Sequence, residues 1–482
     1  MPGILRKLAR NSRTRPLTRF PAVADPEDDQ EICQVANLER EDVRIAIDEA
    51  RKAFGSYRHM QHRDRRWLMR RWADLLRANR EDLAALCTLE LGKPYTESLV
   101  SVQYATDFLD WFEGAIERTF GDTIPAARRE NRVFTIRQPQ GVVAAITPWN
   151  SPLAMITRKA GAAIAAGNSV VCKPAPETPL CALALAKLFE RAGGPPGVLN
   201  VIPCSTENTA AVGEEVCSNT LVKHLSFTGS TAVGKSLNVA CARSMKRISM
   251  ELGGNAPFIV FDDADLEEAA KGLVTSKFRS SGQTCVCANR ILVHAAVFDK
   301  FGELLKKTVN STFVYGSVWD QAVNFGPLYS SKGMSKAISH LEDAVSKGGI
   351  LLTKDLVARE LGPNFLRPAI VKAATNSHLM TFTEEETFGP IAFMIPFNTE
   401  EEAIKIANQS NLGLAAYFYT ESISRLWRVA EALNVGMVGA RVGLVSAAEM
   451  PFGGIMESGM GREGGMEALH EFLEIKSITV GL

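Results

Sequence analysis

The stretch SSGQTCVCANR, residues 280–290, sets two cysteines one residue apart in a glycine-containing turn. Cys285 and Cys287 fit three chemistries: a nucleophile with a neighbour, a metal-ligand pair, or a redox pair. A thiol that attacks a carbonyl and oxidises it needs further groups. It requires donors for the oxyanion, a hydride acceptor, and a base that activates water against the thioester. Two other segments supply such groups. Glu251 in MELGGNAP is followed by Gly253-Gly254, which leave room for a ligand, and Asn150 ends the turn TPWN. The structural alternative for Glu251 is a buried, ion-paired carboxylate.

A rival chemistry comes from GSTAVGKS at 229–236, which matches the P-loop pattern. In a P-loop, backbone N–H groups cradle phosphates while Lys and Ser serve phosphate and Mg²⁺. Asp262, at the end of FIVFDD, then takes the place of a Walker B carboxylate. The other reading is a dinucleotide loop in which a helix N-terminus holds a pyrophosphate, although Thr231 replaces the middle glycine of GxGxxG. Taken alone, these eight residues favour the P-loop and a nucleoside triphosphatase.

The elements that must position these groups are α/β. Short β-branched runs alternate with longer helices from residue 141: GVVAAIT, LAMITRKAGAAIAA, NSVVCKPA, TPLCALALAKLFERAG, VLNVI, TAAVGEEVC and KHLSFTGS. That alternation implies a doubly wound parallel sheet, which binds ligands at the carboxyl ends of its strands. A second series starts near residue 255 with NAPFIVFDDADLEEAAKGLVTSKF and runs to about 450. Residues 41–120 read as amphipathic helices. In one of them Trp67, Leu68, Trp72, Leu75 and Leu76 form a core stripe, and the HRD at 62–64 lacks the Leu and Asn of a kinase catalytic loop.

At 482 residues, 46% hydrophobic and 22% charged, the chain is globular and long enough for two or three domains. Lys plus Arg (54) balances Asp plus Glu (54), so no global charge draws it to nucleic acid or an anionic membrane, and no apolar run is long enough to span a bilayer. The nine cysteines are scattered without a CxxC pair, which indicates a reducing compartment and neither a disulfide framework nor a zinc site. The first twenty residues carry five Arg, one Lys and no acid. They read as a solvated basic tail, with a mitochondrial presequence as the alternative. A cytoplasmic location is preferred, and the tail leaves the mitochondrial matrix open.

Six segments stand in order along the chain: TPWN at 147–150, FTGS at 227–230, MELGGNAP at 250–257, GQTC at 282–285, EETFGP at 385–390 and PFGG at 451–454. Together they resemble the aldehyde dehydrogenase superfamily from about residue 22 to the end. Within it, ITPWNSPLAMITRKAGAAIAAGN, ELGGNAPFIVFDDADL and SKFRSSGQTCVCANR are most similar to succinate-semialdehyde dehydrogenases. The resemblance implies NAD(P)-dependent oxidation of an aldehyde through a cysteine thiohemiacetal and thioester, with succinate semialdehyde as the aldehyde. Another aldehyde, or the P-loop protein, is the alternative. It also implies two doubly wound domains and a small β oligomerisation extension. Residues 1–120 and 140–250 would bind cofactor, 251–453 would hold the nucleophile, and 121–139 with 454–482 would make the extension and C-terminal segment. In that extension RVFTIRQ and FLEIKSITVGL would pair strands between subunits of a homodimer or homotetramer.

The implied roles follow residue by residue. Cys285 matches the nucleophile, Glu251 the general base and Asn150, with the Cys285 N–H, the oxyanion hole. Ile146, Trp149, Lys173, Pro176, Gly229, Ser230, Leu252, Glu386 and Phe388 match positions around NAD or NADP; Lys235 becomes an ordinary helix residue. Arg158 and Arg279 match carboxylate-binding positions of succinate-semialdehyde dehydrogenases, and Ser446 a third contact. Fixed arginines suit a distal carboxylate because the guanidinium binds it in a planar fork; the alternative for each is a salt bridge.

Three departures stand out. Pro176 occupies a position where NAD-preferring members often carry a ribose-binding Glu, and Glu177 comes one residue later, so NADP is admissible. Arg441 replaces a common Asn near the substrate funnel. The basic tail also stands where the family usually has an extra strand pair. With no further ligands beside the cysteine pair, metal binding becomes the least favoured reading. Cys287 is then either a small buried hydrophobe or, as the resemblance suggests, a resolving thiol that forms a reversible disulfide with oxidised Cys285.

Overall fold

A computed structural model of the chain describes residues 23–27, 30–373 and 380–482. The basic N-terminal tail, with its targeting reading, lies outside the described residues. Two α/β sheets carry the architecture. The first has six strands in the order Gly459–Met460, Arg247–Glu251, Val222–Thr228, Val142–Ile146, Ser169–Lys173 and Leu199–Val201. Its last five strands run parallel, and Gly459–Met460 is antiparallel to Arg247–Glu251. Val142–Ile146 and Ser169–Lys173 are buried at every position, which explains their unbroken apolar sequences. The order reverses at Val142–Ile146, whose neighbours are Ser169–Lys173 on one side and Val222–Thr228 on the other. A crevice opens at the carboxyl ends of strands where such a reversal occurs.

The second sheet has seven strands in the order Ile350–Leu351, Ala369–Lys372, Ile391–Phe397, Ala288–His294, Ala256–Val260, Ala415–Tyr419 and Met437–Ala440. All pairs are parallel except the edge strand Ile350–Leu351. The helix Leu266–Phe278 begins where Asp265 caps it, its Oδ1 accepting from Glu267 N (3.0 Å) and Glu268 N (3.1 Å).

A third sheet of three antiparallel strands stands apart: Leu473–Gly481, Asn131–Pro139 and Thr123–Ile124. The two segments expected to serve oligomerisation pair with each other along their length, from Leu473↔Pro139 to Gly481↔Asn131. This leaves Leu473–Gly481 as an edge with Ile475 and Val480 exposed.

Four helices cover residues 40–115. In His62–Ala78, Leu68, Trp72 and Leu76 are buried at helical spacing, and Trp72 Nε1 donates to Leu185 O at 3.2 Å. Trp67 departs from the expected core stripe and is 55% exposed. It lies one position off the 68–72–76 row, so it is turned by about 100° onto the face carrying Arg63, Arg66 and Arg70.

Candidate active site

The turn before Cys285 is left-handed at three successive residues: Ser280 (φ 51°), Ser281 (φ 53°) and Gly282 (φ 77°). Two non-glycine residues held there cost about 1–2 kcal/mol each, so surrounding bonds must fix them. Ser280 Oγ donates to Glu97 Oε1 (2.6 Å), Ser281 Oγ donates to Gly326 O (2.7 Å), and Gln283 Oε1 accepts from Tyr329 N (2.9 Å). Gly282 is required for space as well as conformation, because a Cβ there would lie 2.3 Å from Gly389 O. The turn thereby aims half-buried Cys285 into a cavity of about 90 Å³.

Asn150, Arg158, Arg279 and Ser446 line the same cavity, so three distant parts of the sequence meet at the thiol. Tyr104, which sequence reasoning missed, also lines it. Its place in the long helix Tyr95–Ala115 resembles ordinary core patterning and carried no separate signal. Asn150 Nδ2 donates to Gln283 O at 3.0 Å, which fixes the amide beside the nucleophile. That leaves its second N–H available to an oxyanion. Arg279 Nε is buried and has no protein acceptor.

Glu251 ends its strand, is buried, and has an unpartnered Oε1. Its Oε2 lies 3.3 Å from Arg158 Nη2. Burial pushes the Glu251 carboxyl above the usual range, with Arg158 opposing the shift and Glu463 adding to it. The Cys285 thiol is raised well above the usual thiol range by burial first and by the charge of Glu251 second. Both shifts favour the neutral forms, so each group holds its proton more firmly than it would in water.

Arg158 and Lys159 lie in a π-helical turn, Thr157–Gly161, that interrupts the helix after TPWN. Such wide turns are common at functional sites. Both side chains are buried and both pair with Glu463, while Arg158 stacks on Phe452 at 4.4 Å. Burial would neutralise Glu463, but Arg158 and Lys159 more than offset it and hold its carboxyl below the usual range. Lys159 and Glu463 were not singled out in the sequence. They are 304 residues apart, and nothing short of the fold reveals the pair.

The carboxyl ends of the first sheet form a cradle. Ile146 and Lys173 end their strands, both buried, and Gly229 follows Thr228. Ser230 N-caps the helix Thr231–Ala242, its Oγ accepting from Val233 N at 3.4 Å. The exposed helix terminus offers free N–H groups to a pyrophosphate. Gly234 packs on Leu252, and a Cβ there would come within 2.4 Å of the leucine. Trp149 stacks on Tyr329 (4.6 Å) and meets Phe388 edge-on (5.7 Å). Glu386, half-buried, is pushed up to about 8, chiefly by burial. A Cβ on Gly253 would lie 3.2 Å from Thr231 Oγ1 and 3.3 Å from Glu386 Oε2, a close fit that the glycine relieves. Pro176 and Glu177 are half-buried beyond Lys173. This set of small residues, a free helix N-terminus and a carboxylate fits a dinucleotide.

It does not fit a P-loop triphosphatase. Lys235 Nζ is ion-paired with Glu457 at 2.7 Å on the surface. Asp262, following strand Ala256–Val260 of the other sheet, faces Arg425 at 3.1 Å. A Walker pair needs both strands in one sheet at one phosphate.

A model of the aldehyde dehydrogenase family matches residues 15–478. The chain belongs to the aldehyde dehydrogenase family. Succinate-semialdehyde dehydrogenase [NADP(+)] 1 of Schizosaccharomyces pombe is 49% identical over 458 residues, 95% of this chain and 91% of that one. The mitochondrial succinate-semialdehyde dehydrogenase of Homo sapiens is 46% identical, covering 96% and 86%. The crystal structure of succinate-semialdehyde dehydrogenase from Burkholderia pseudomallei superposes with a TM-score of 0.93 at 43% identity, covering 96% of this chain and 95% of that one. The enzyme is therefore an NAD(P)-dependent aldehyde dehydrogenase, similar to succinate-semialdehyde dehydrogenases, and the expected two-domain fold with its β extension is the observed one.

Two expectations acquire positions. Arg441 (φ 57°) donates through Nε to Thr420 O at 2.7 Å and faces Glu421 at 3.5 Å, outside the lining of the thiol cavity. Cys287 is buried, its thiol against Thr284 Oγ1 (2.9 Å) and donating to Lys277 O (3.6 Å). All nine cysteines are free. Among the described residues no cluster of potential metal ligands forms, and no helix is long and apolar enough to cross a membrane.

Proposed function

We propose that the enzyme oxidises succinate semialdehyde to succinate with NAD or NADP. The observation that carries this reading is the small cavity that holds the thiol, two guanidinium groups and Ser446 together. Arg158 spends much of its charge on Glu251 and Glu463, whereas Arg279 faces the cavity with an unpartnered Nε. Arg279 is thus the principal anchor for a distal carboxylate, with Arg158 and Ser446 completing the pocket. The small volume favours a short aldehyde.

In this mechanism the Cys285 thiol gives up its proton to solvent as sulfur adds to the aldehyde carbonyl, and Glu251 stays ionised for the hydrolysis step. Asn150 Nδ2 and the Cys285 N–H hold the oxyanion. Bound NAD(P) supplies the hydride acceptor, and Ile146, Trp149, Lys173, Pro176, Gly229, Ser230, Leu252, Glu386 and Phe388 would hold it. Glu251 then takes a proton from the water that attacks the Cys285 thioester, releasing the acid and restoring the thiol. Glu177, displaced by one position from the ribose-binding site, leaves room for a 2′-phosphate, so both cofactors belong in the assay.

Arg279→Gln should lower kcat/KM for succinate semialdehyde by roughly a hundredfold, the loss of a charge-assisted hydrogen-bonded pair. Propanal should change only a few-fold. Equal losses on both aldehydes, or no turnover of succinate semialdehyde by the wild type with either cofactor, would reject the assignment.

Cys287 is assigned as a resolving thiol. Peroxide, a two-electron oxidant, would convert Cys285 to a sulfenic acid, and attack by Cys287 would expel water and form a strained, readily reduced disulfide. Cys287→Ala should keep activity while losing dithiol-reversible recovery from peroxide; unchanged recovery would end this reading. The exposed edge Leu473–Gly481 supports assembly as a homodimer or homotetramer. The free cysteines support a reducing compartment, either cytoplasm or mitochondrial matrix.

A further inference from the structure

A surface cavity of about 390 Å³, away from the thiol, gathers positive charge. Its polar lining includes Arg58, His59, His62, Arg65 and Arg137, and no carboxylate. Among the described residues none of the three arginines has a carboxylate partner. Arg58 lies over the Phe54 ring at 5.1 Å, and Arg137 donates only Nε, to Phe120 O at 3.0 Å. Glu117, which faces His62, is tied to Arg66 at 3.1 Å.

Arg65 shows that the cavity is built. It is 5% exposed, donating Nη1 to Ala165 O (3.0 Å) and Nη2 to Met60 O (3.0 Å). Its buried Nε has no partner. Gly167 (φ 95°) closes over it so tightly that a Cβ would lie 2.9 Å from Nη1. A guanidinium held this far from water and left short of an acceptor is costly unless an anion faces it. The same cavity is entered by the start of the 17-residue helix His62–Ala78, whose N-cap Gln61 makes no side-chain cap. Its free N–H groups and dipole add to the positive field.

The geometry points to a second binding site, one for a small multivalent oxyanion, phosphate-bearing or polycarboxylate. Arg58, Arg65 and Arg137 are its guanidinium donors and the His62–Ala78 terminus supplies backbone donors. The site is separate from the cofactor crevice. Pro139 and Ala166 lead into the amino ends of the strands Val142–Ile146 and Ser169–Lys173, whereas the crevice lies at their carboxyl ends. Ala165 and Ala166 also close the helical run that carries Arg158.

The test uses the full chain saturated with NADP, so that the nucleotide crevice is filled. Inorganic pyrophosphate and citrate are titrated separately by calorimetry in low-chloride buffer. One anion per chain is expected, and Arg58→Gln and Arg137→Gln should each weaken it by roughly tenfold while kcat without anion stays at the wild-type value. Tighter pyrophosphate assigns the site to phosphate-bearing ligands, and tighter citrate to polycarboxylates. No heat from either anion, or binding undiminished in the double variant, would overturn the site. Failure of the succinate-semialdehyde reading would leave this result untouched, since no aldehyde enters the measurement.

Discussion

Replacing Cys285 with serine is expected to lower kcat by at least about a thousandfold, with cofactor binding retained. The alkoxide of serine is far harder to form than a thiolate, and the site gives it no help. Burial and the neighbouring Glu251 carboxylate already raise the thiol well above its usual range, so only an intrinsically strong nucleophile works there. The loss must come in kcat, because Arg279, Arg158 and Ser446 bind the far end of the substrate independently of the sulfur. Rapid-mixing assays with equilibrium cofactor titration check this. A serine variant within tenfold of wild type would remove Cys285 from the reaction.

Glu251→Gln should stall the enzyme after one turnover. Glutamine keeps the shape of the side chain and can still face Arg158, but it cannot take a proton from water. A burst of reduced cofactor approaching one equivalent per active site is expected, followed by a steady rate lower by roughly a hundredfold to ten-thousandfold. The wild-type pH profile carries the same signature. Burial raises the Glu251 carboxyl above the ordinary range, and the base acts only when ionised. The acid limb of kcat should therefore lie at higher pH than for a solvated carboxylate, with activity falling as pH drops through it. In the glutamine variant that limb should vanish from the residual rate. A full steady-state rate without a burst would assign the base elsewhere.

The sequence made the cysteine and the base legible because each sits close to a glycine in a tightly packed turn. Gly282 precedes Cys285 in a left-handed turn with no space for a Cβ, and Gly253 relieves a close fit beside Glu386. What stayed hidden depends on distance in the chain. Glu463 reaches Arg158 and Lys159 only through the fold, and the π turn that brings both cations inward has no compositional mark. The P-loop match was misleading for a related reason. Eight residues describe a strand–loop–helix junction equally well for a triphosphate or a dinucleotide. Only the placement of Asp262 on the other sheet and Lys235 against Glu457 separates the two. Trp67 erred by one residue of register, which on a helix is the difference between core and solvent.

The strand bearing Glu251 is finished from far away. Gly459 pairs with Glu251, Leu252 N donates to Ser458 O at 2.9 Å, and Ser458 Oγ donates to Gly253 O at 2.6 Å. A ribosome therefore releases the Cys285 loop long before it releases the segment that seats the base and supplies Glu463. During synthesis the thiol exists before the carboxylate that serves hydrolysis is seated, and full turnover waits until the tail has folded back. The same ordering exposes a vulnerable point. A single proteolytic nick between residues 453 and 465 would disarm the enzyme while leaving the cysteine, the base and the asparagine chemically intact.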